Sequence, residues 1–277
     1  MQIGICSYSF HRMLAAGTMD MFKYIYTCKD LGCTQLDPWN AHLSVLADAD
    51  DVIHAGQHPE SSQHLVADHS GYIAEVKKTA QIVGLPFGVI AVDGAHIYEE
   101  SAGARMANRE RAYRWIEVAA ELGAKQVRID AGGPPEMPEE VFQTIKEGYE
   151  DLIGVARPHG IEILVENHWG PTMYPDNVIR LLDEIDGLGL LLDMHNWAPG
   201  LRDEGRRRLA TRASSTHFKS FIWDDGDEMS EDIPRAVNYL METQYQGTWG
   251  VESVPEDGDE VEGARKTINL LHRLTGR

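Results

Sequence analysis

The sequence predicts an α/β protein, a single (β/α)8 TIM barrel over residues 1–277 with a lid-like insert after the second strand. Three observations lead there. Short apolar runs alternate with helix-length amphipathic segments from end to end, the pattern of βαβ units around a parallel sheet. Eight of each can be marked, and a final helix closes the chain, which suits a barrel better than an open sheet. Four runs in the second half end on a metal-type side chain: Ile163 to Glu166, Leu190 to Asp193, Ser215 to His217 and Thr248 to Glu252. In a closed barrel the C-terminal ends of the strands share one mouth, so side chains placed there meet.

In chain order the strands fall at 2–7, 34–37, 86–92, 126–130, 161–166, 189–193, 215–219 and 248–252. The helices fall near 18–31, 68–83, 105–122, 138–157, 175–185, 204–213, 231–243 and 258–274. Thr18 is placed to cap the first helix and Gly32 to follow it, while Gly84 and Gly123 stand where left-handed residues stop the next two. Ala112, Ile116, Ala119 and Leu122 share one helix face, as do Val261, Ala264, Ile268 and Leu271. Residues 39–67 break the rhythm. They follow the end of strand two, so they would rise over the barrel mouth as a lid. Their histidines, His42, His54, His58 and His64, read as mostly solvated.

Bulk composition excludes several classes. An apolar fraction of 43% is enough for a sizeable core, yet no apolar run approaches the roughly 20 residues that cross a bilayer. The chain opens on a strand-like Gln2 to Cys6 with no basic leader, and its three cysteines have no zinc-type spacing. Reduced thiols and a cytoplasmic location are therefore expected, with Cys28 and Cys33 packed in or beside the first helix. A net charge of −19 counts against nucleic acid, whose binders neutralise phosphates with a basic face. The one basic cluster, Arg202 to Arg212, reads as the exposed face of a helix.

A single strand-end carboxylate more often makes an ion pair or a cap than a metal bond. Glu166, Asp193, His217 and Glu252 together form an oxygen-rich set suited to one divalent ion, Mn²⁺, Co²⁺, Mg²⁺ or Zn²⁺. A small molecule chelating that ion through a carbonyl and adjacent hydroxyl would have its neighbouring C–H acidified. Either glutamate can then remove the proton while the other returns it, which is isomerisation or epimerisation through a metal-stabilised enediolate. The chain carries no G-x-S-x-G, Walker A or G-x-G-x-x-G motif for a rival chemistry. Lys219 lies two residues after His217, hence on the same strand face, and points toward the pocket. His168 and His195 stand beside ligands, where they either donate to substrate oxygens or only pack. Arg128 and Asp130 end strand four and His96 follows strand three, placed for substrate contact, while Trp39 and Trp197 either wall the pocket or pack.

The segments Glu166-Asn-His168, Asp193-Met-His-Asn196, His217-Phe-Lys219 and Val251-Glu252, with the opening Ile3 to Phe10, resemble the xylose isomerase-like TIM-barrel superfamily over the whole chain. The nearest groups are its sugar-phosphate isomerase/epimerase members: inosose dehydratase-like proteins, hydroxypyruvate isomerase and ketose 3-epimerases. The resemblance implies that Glu166, Asp193, His217 and Glu252 bind the metal and that the two glutamates are the acid/base pair. It places Asn196 near substrate, matches Lys219 to a His-x-Lys of the inosose dehydratase-like members, and implies a dimer or tetramer. One departure bears on substrate. Ketose 3-epimerases carry an Arg six residues after the metal-binding His, where this chain has Trp223 amid Asp224, Asp225 and Asp227. Such a loop disfavours a phosphorylated substrate and fits a neutral polyol, keto-sugar or glycoside.

The expected partner is therefore a small carbohydrate, with neither nucleic acid nor membrane. Dehydration of a keto-inositol or β-elimination from a keto-glycoside is the alternative, with Lys219 and His168 assisting departure. An endonuclease-IV-like nuclease would need more His and Asp ligands and a basic surface. A metal-binding assembly subunit without turnover is the reading outside catalysis.

Overall fold

The computed structural model describes residues 1–44, 70–224, 227–228 and 232–276. Its main sheet has seven parallel strands: β1 (Gln2–Ile5), β2 (Val89–Val92), β3 (Gln126–Ile129), β4 (Glu162–Glu166), β5 (Gly189–Asp193), β6 (Ala213–Phe218) and β9 (Thr248–Val251). Between β6 and β9 a short antiparallel pair is formed by β7 (Trp223–Asp224) and β8 (Asp227–Glu228). The helices are α1 (His11–Ala15), α2 (Met21–Asp30), α3 (Ser70–Val83), α4 (Ala102–Leu122), α5 (Glu139–Ala156), α6 (Pro175–Glu184), α7 (Arg202–Leu209), α8 (Asp232–Glu242) and α9 (Glu260–Thr275). The sheet order, β1-β9-β6-β5-β4-β3-β2, leaves β1 and β2 as its two edges. No helix among the described residues is long and apolar enough to cross a membrane.

Segment 34–39 closes the ring between those edges, but not as the continuous strand expected at 34–37. It makes isolated bridges, Cys6 with Asp37 on one side and Leu36 with Phe87 and Trp39 with Ala91 on the other. The cause is local. Pro38 has no N–H to give to a ladder. Asp37 takes ladder bonds onto its side chain: Oδ1 accepts from Val89 N at 2.9 Å, while Asp37 N donates to the Tyr24 hydroxyl at 2.9 Å. Gly4 on β1 and Gly88 before β2 make room for this buried polar pair, since a Cβ at either position would overlap Asp37 Oδ2 or Gln35 Nε2. Gly4→Ala is expected to destabilise the fold by about 2–3 kcal/mol through overpacking, read as a lower denaturant midpoint at unchanged slope.

Strand parity divides the core. Ile90 and Val92, Val127 and Ile129, Ile163 and Val165, and Leu190 and Leu192 join the large cluster shared with the helices. Val89, Leu164 and Leu191, of the opposite parity, form a separate cluster inside the ring. Because side chains alternate, that inner parity runs on to Asp93, Arg128, Asp130, Glu166, Asp193, His217, Lys219 and Glu252 at the mouth.

Other expectations shift. Helix α2 is capped by Asp20, whose Oδ1 accepts from Lys23 N at 2.7 Å, not by Thr18. Asp20, two residues nearer, stands at the N-cap position immediately before Met21, and the Thr18 hydroxyl donates to Met13 O instead. Gly32, Gly84 and Gly123 do follow α2, α3 and α4 with φ of 79°, 78° and 78°. Of the lid expected over 39–67, residues 45–67, with His54, His58 and His64, lie outside the described residues. His42 is described and is buried, not solvated. Its Nδ1 lies 3.0 Å from Ser7 Oγ, its ring meets those of Tyr24 and Trp39, and burial pushes its pKa down to about 3.

Candidate metal centre

Glu166, Asp193, His217 and Glu252 are all buried, and one donor atom from each lies within 4.8 Å of every other. Register makes this possible. Asp193 pairs with His217 across β5 and β6, and His217 with Gly250 across β6 and β9, so the strands end level. Gly250 lets β9 lie close against β6, since a Cβ there would fall 2.0 Å from Thr216 O and 3.2 Å from His217 Cδ2. His217 Nδ1 faces two carboxylates, Glu252 Oε2 at 2.8 Å and Glu166 Oε1 at 3.1 Å. Burial alone would lower the pKa of His217, but Glu252 and Glu166 outweigh it and raise it well above the usual imidazole range.

Asp193 is aimed by its own backbone turn. Its Oδ1 accepts from His195 N at 2.6 Å and Asn196 N at 2.8 Å, which turns Oδ2 toward the cluster. Asn167 extends the ladder one step past β4, donating to Asp193 O and accepting from Asp193 N, both at 2.8 Å. The Lys219 ammonium lies 3.2 Å from Asp193 Oδ2, 3.3 Å from Glu252 Oε1 and 3.0 Å from Asn196 Oδ1. Burial opposes its charge, yet Asp193 and Glu252 raise its pKa above the usual lysine range. Glu252, which burial alone would raise, is held well below the usual carboxylate range by Lys219 and His217.

Arg128 supports the opposite wall. Its Nη1 reaches Asp93 Oδ1 at 2.8 Å and Asp130 Oδ2 at 3.0 Å, and its Nε lies 2.9 Å from Glu166 Oε2. Against the effect of burial, Arg128 and then His217 hold the pKa of Glu166 down. The half-buried His168 sits 3.1 Å from Asp130 Oδ2. Burial would lower its pKa, but Asp130 and Glu166 push it up to about 9. A raised histidine pKa stabilises the fold below the unfolded value near 6.5, and that contribution fades as pH rises through about 9. Asp130→Asn should bring the His168 titration, followed by ring NMR shifts, down toward about 6.5.

A cavity of about 100 Å³ opens onto these groups, with Arg128, Glu166, His168, Lys219 and Glu252 in its wall and Trp39 among its lining residues. Three further lining residues, Cys6, Tyr8 and Asp93, were not singled out in the sequence. Asp93 carries the signal used elsewhere, a carboxylate ending the apolar run Val89 to Val92; Cys6 likewise ends the run from Gln2. Asn196 supports Lys219 from outside the lining. His195 stands at the rim, its ring against Phe221 and near Arg202, and His96 pairs with Glu99 beside Trp169; neither lines the cavity. Trp197 packs beneath Gly205 of α7. The loop expected to exclude anions at Trp223, Asp224, Asp225 and Asp227 has its side chains outside the described residues.

The donor set fits a divalent cation. Donors about 2.1 Å from one ion stand about 3–4 Å apart, so the four, already within 4.8 Å of one another, would draw in around it. Glu166 Oε2 and Asp193 Oδ2 are buried anionic oxygens met only by cations, Arg128 Nε at 2.9 Å and Lys219 Nζ at 3.2 Å, so the cluster already draws positive charge to itself.

The family model described as xylose isomerase-like TIM barrel matches residues 23–274. The chain belongs to that family. Among solved structures, 3-keto-D-glucoside 4-epimerase YcjR from E. coli is 15% identical with a TM-score of 0.71, the match covering 99% of each chain. The IolI protein with a binding zinc atom is 14% identical with a TM-score of 0.72, again covering 99% of both. D-allulose 3-epimerase from Methylomonas sp., in complex with D-allulose, is 16% identical with a TM-score of 0.70 over 99% of this chain and 96% of that one. At such identities the likeness establishes the fold alone. A search of curated proteins finds no match.

Proposed function

We propose that this chain is a divalent-metal-dependent isomerase or epimerase of a small neutral sugar or keto-sugar. The observation that carries the reading is the pair Glu166 and Glu252. They come from strands separated by two others, converge on His217 Nδ1 at 3.1 and 2.8 Å, and both line the cavity. Glu166, Asp193, His217 and Glu252 would hold the ion, manganese, cobalt, magnesium or zinc, which when bound supplies a Lewis acid that polarises a substrate carbonyl. Both glutamates are held ionised, by Arg128 on one side and Lys219 on the other, so each starts unprotonated and able to accept a proton. One carboxylate takes the acidified C–H proton; it can return that proton to the neighbouring carbon, or the other carboxylate, after taking a proton from solvent, can deliver it to the opposite face. The Lys219 ammonium stands where negative charge on a substrate oxygen can be met. Asn196 keeps that ammonium in place, and His168 offers a second donor from the facing wall.

Neutral substrates are favoured because the cavity-lining cations Arg128, His168 and Lys219 are each already paired with carboxylates. A phosphate would have to break one of those pairs. The named activities of the structural neighbours, a keto-glucoside epimerase and a ketose epimerase, support the same substrate class. Protein loaded with Mn²⁺ or Co²⁺ should exchange substrate C–H for deuterium in D₂O on a panel including D-allulose, D-fructose and 3-keto-glucosides. Absence of exchange across that panel with metal bound would remove the proposal. Lys219 and His168, both proton-bearing and both in the cavity wall, also favour a second reading, elimination of water or an aglycone after the same proton abstraction. An unsaturated product would mark that outcome.

A further inference from the structure

A sulfur atom stands beside the oxygen-rich ligands. Cys6 ends β1, is buried at 2% exposure and lines the cavity. Its backbone is pinned, Cys6 N donating to Val251 O at 2.7 Å, next to the turn into Glu252. Its Sγ, a His217 ring nitrogen and a Glu252 oxygen form a second buried set with all donors within 4.8 Å. The two sets share His217 and Glu252 and differ in what completes them: Glu166 and Asp193, or a thiol. Carboxylates suit hard Mg²⁺ and Mn²⁺, whereas a thiolate favours Zn²⁺ and Co²⁺.

We propose that Cys6 is a metal-selectivity residue, a sulfur donor recruited to the His217–Glu252 side of the centre by zinc or cobalt and idle with magnesium or manganese. The proposal rests on the reading that Glu166, Asp193, His217 and Glu252 hold a divalent ion. As the sulfur–metal bond forms, the thiol proton passes to solvent, so wild type releases one more proton per zinc than Cys6→Ser.

The full chain is stripped with chelator and reloaded with each metal alone. With Co²⁺, wild type should develop a sulfur-to-cobalt charge-transfer band in the near ultraviolet that Cys6→Ser and Cys6→Ala lose while still binding the ion. Zinc-edge absorption of wild type, which needs no variant, should contain a sulfur scatterer at about 2.3 Å. Zn²⁺ affinity should fall about tenfold or more in Cys6→Ser, and Mg²⁺ affinity should change less than about twofold. Cobalt bound with identical spectra in wild type and both variants, or zinc with nitrogen and oxygen neighbours only, overturns the sulfur donor while leaving the metal centre standing. Failure of wild type to bind any of the metals overturns both.

Discussion

Glu252→Gln is expected to slow substrate C–H exchange by about a hundredfold to ten-thousandfold, the range for losing a general acid or base. The amide keeps the size of the side chain and loses its charge. Two contacts are affected, His217 Nδ1 at 2.8 Å and Lys219 Nζ at 3.3 Å. Neither partner is stranded, because His217 retains Glu166 and Lys219 retains Asp193 and Asn196. The fold should therefore survive with a near-native circular dichroism spectrum. Metal affinity should also fall, since one anionic ligand is lost, so exchange must be compared at saturating metal with content measured in the same sample. A carboxylate that served structure alone would shift the thermal midpoint and leave exchange on the saturated variant intact. That result would end the acid/base assignment, and with it the isomerase and the elimination readings alike.

How much of this was legible follows from where each interaction is encoded. Glu166, Asp193, His217 and Glu252 can be read because each ends an apolar run, and alternation then puts all four on the inner parity. Lys219 is legible for the same reason, two residues beyond His217. Asp93 ends an equivalent run in the first half, away from the four that draw the eye, and takes its meaning from Arg128 on the neighbouring strand. Strand 34–37 misleads because side chains stand in for backbone partners: the Asp37 carboxylate accepts from Val89 N, and Pro38, which accepts from Ala91 N, has no N–H to give. His42 misleads in the opposite sense. Its neighbours Asn40 and Ser44 are polar, yet Asn40 is itself buried, spent on the backbone of Asp93, and the imidazole closes against Ser7 and Trp39. Parity is local and readable; which strand lies beside which is not.

Arg128 shows that limit most clearly and carries the largest expected effect on stability. Its side chain is 5% exposed, and one guanidinium serves Asp93, Asp130 and Glu166 as well as the Val92 carbonyl at 3.0 Å. Arg128→Leu would leave three carboxylates facing one another, with His168 and Trp169 left to Asp130, Trp39 to Asp93 and His217 to Glu166. Stranding buried charge in this way costs about 3–5 kcal/mol, which for a chain of this size lowers the melting midpoint by about 5–9 °C. The pH dependence separates charge from packing. Glu166 and Asp130 have depressed pKa values in the folded protein, with Arg128 the leading cause in each once the opposing effect of burial is overcome. Depressed carboxylates contribute stability above their unfolded values, near 4, and lose it as pH falls through the folded values. The deficit of the variant should therefore be full above about pH 5 and shrink below about pH 4, as wild type forfeits the advantage the variant never had. Adding Asp93→Asn to Arg128→Leu should recover part of the loss at neutral pH by removing one of the stranded charges. A deficit that stays constant with pH, and that Asp93→Asn does not relieve, would mean that Arg128 acts through the volume it fills and not through the three carboxylates it joins.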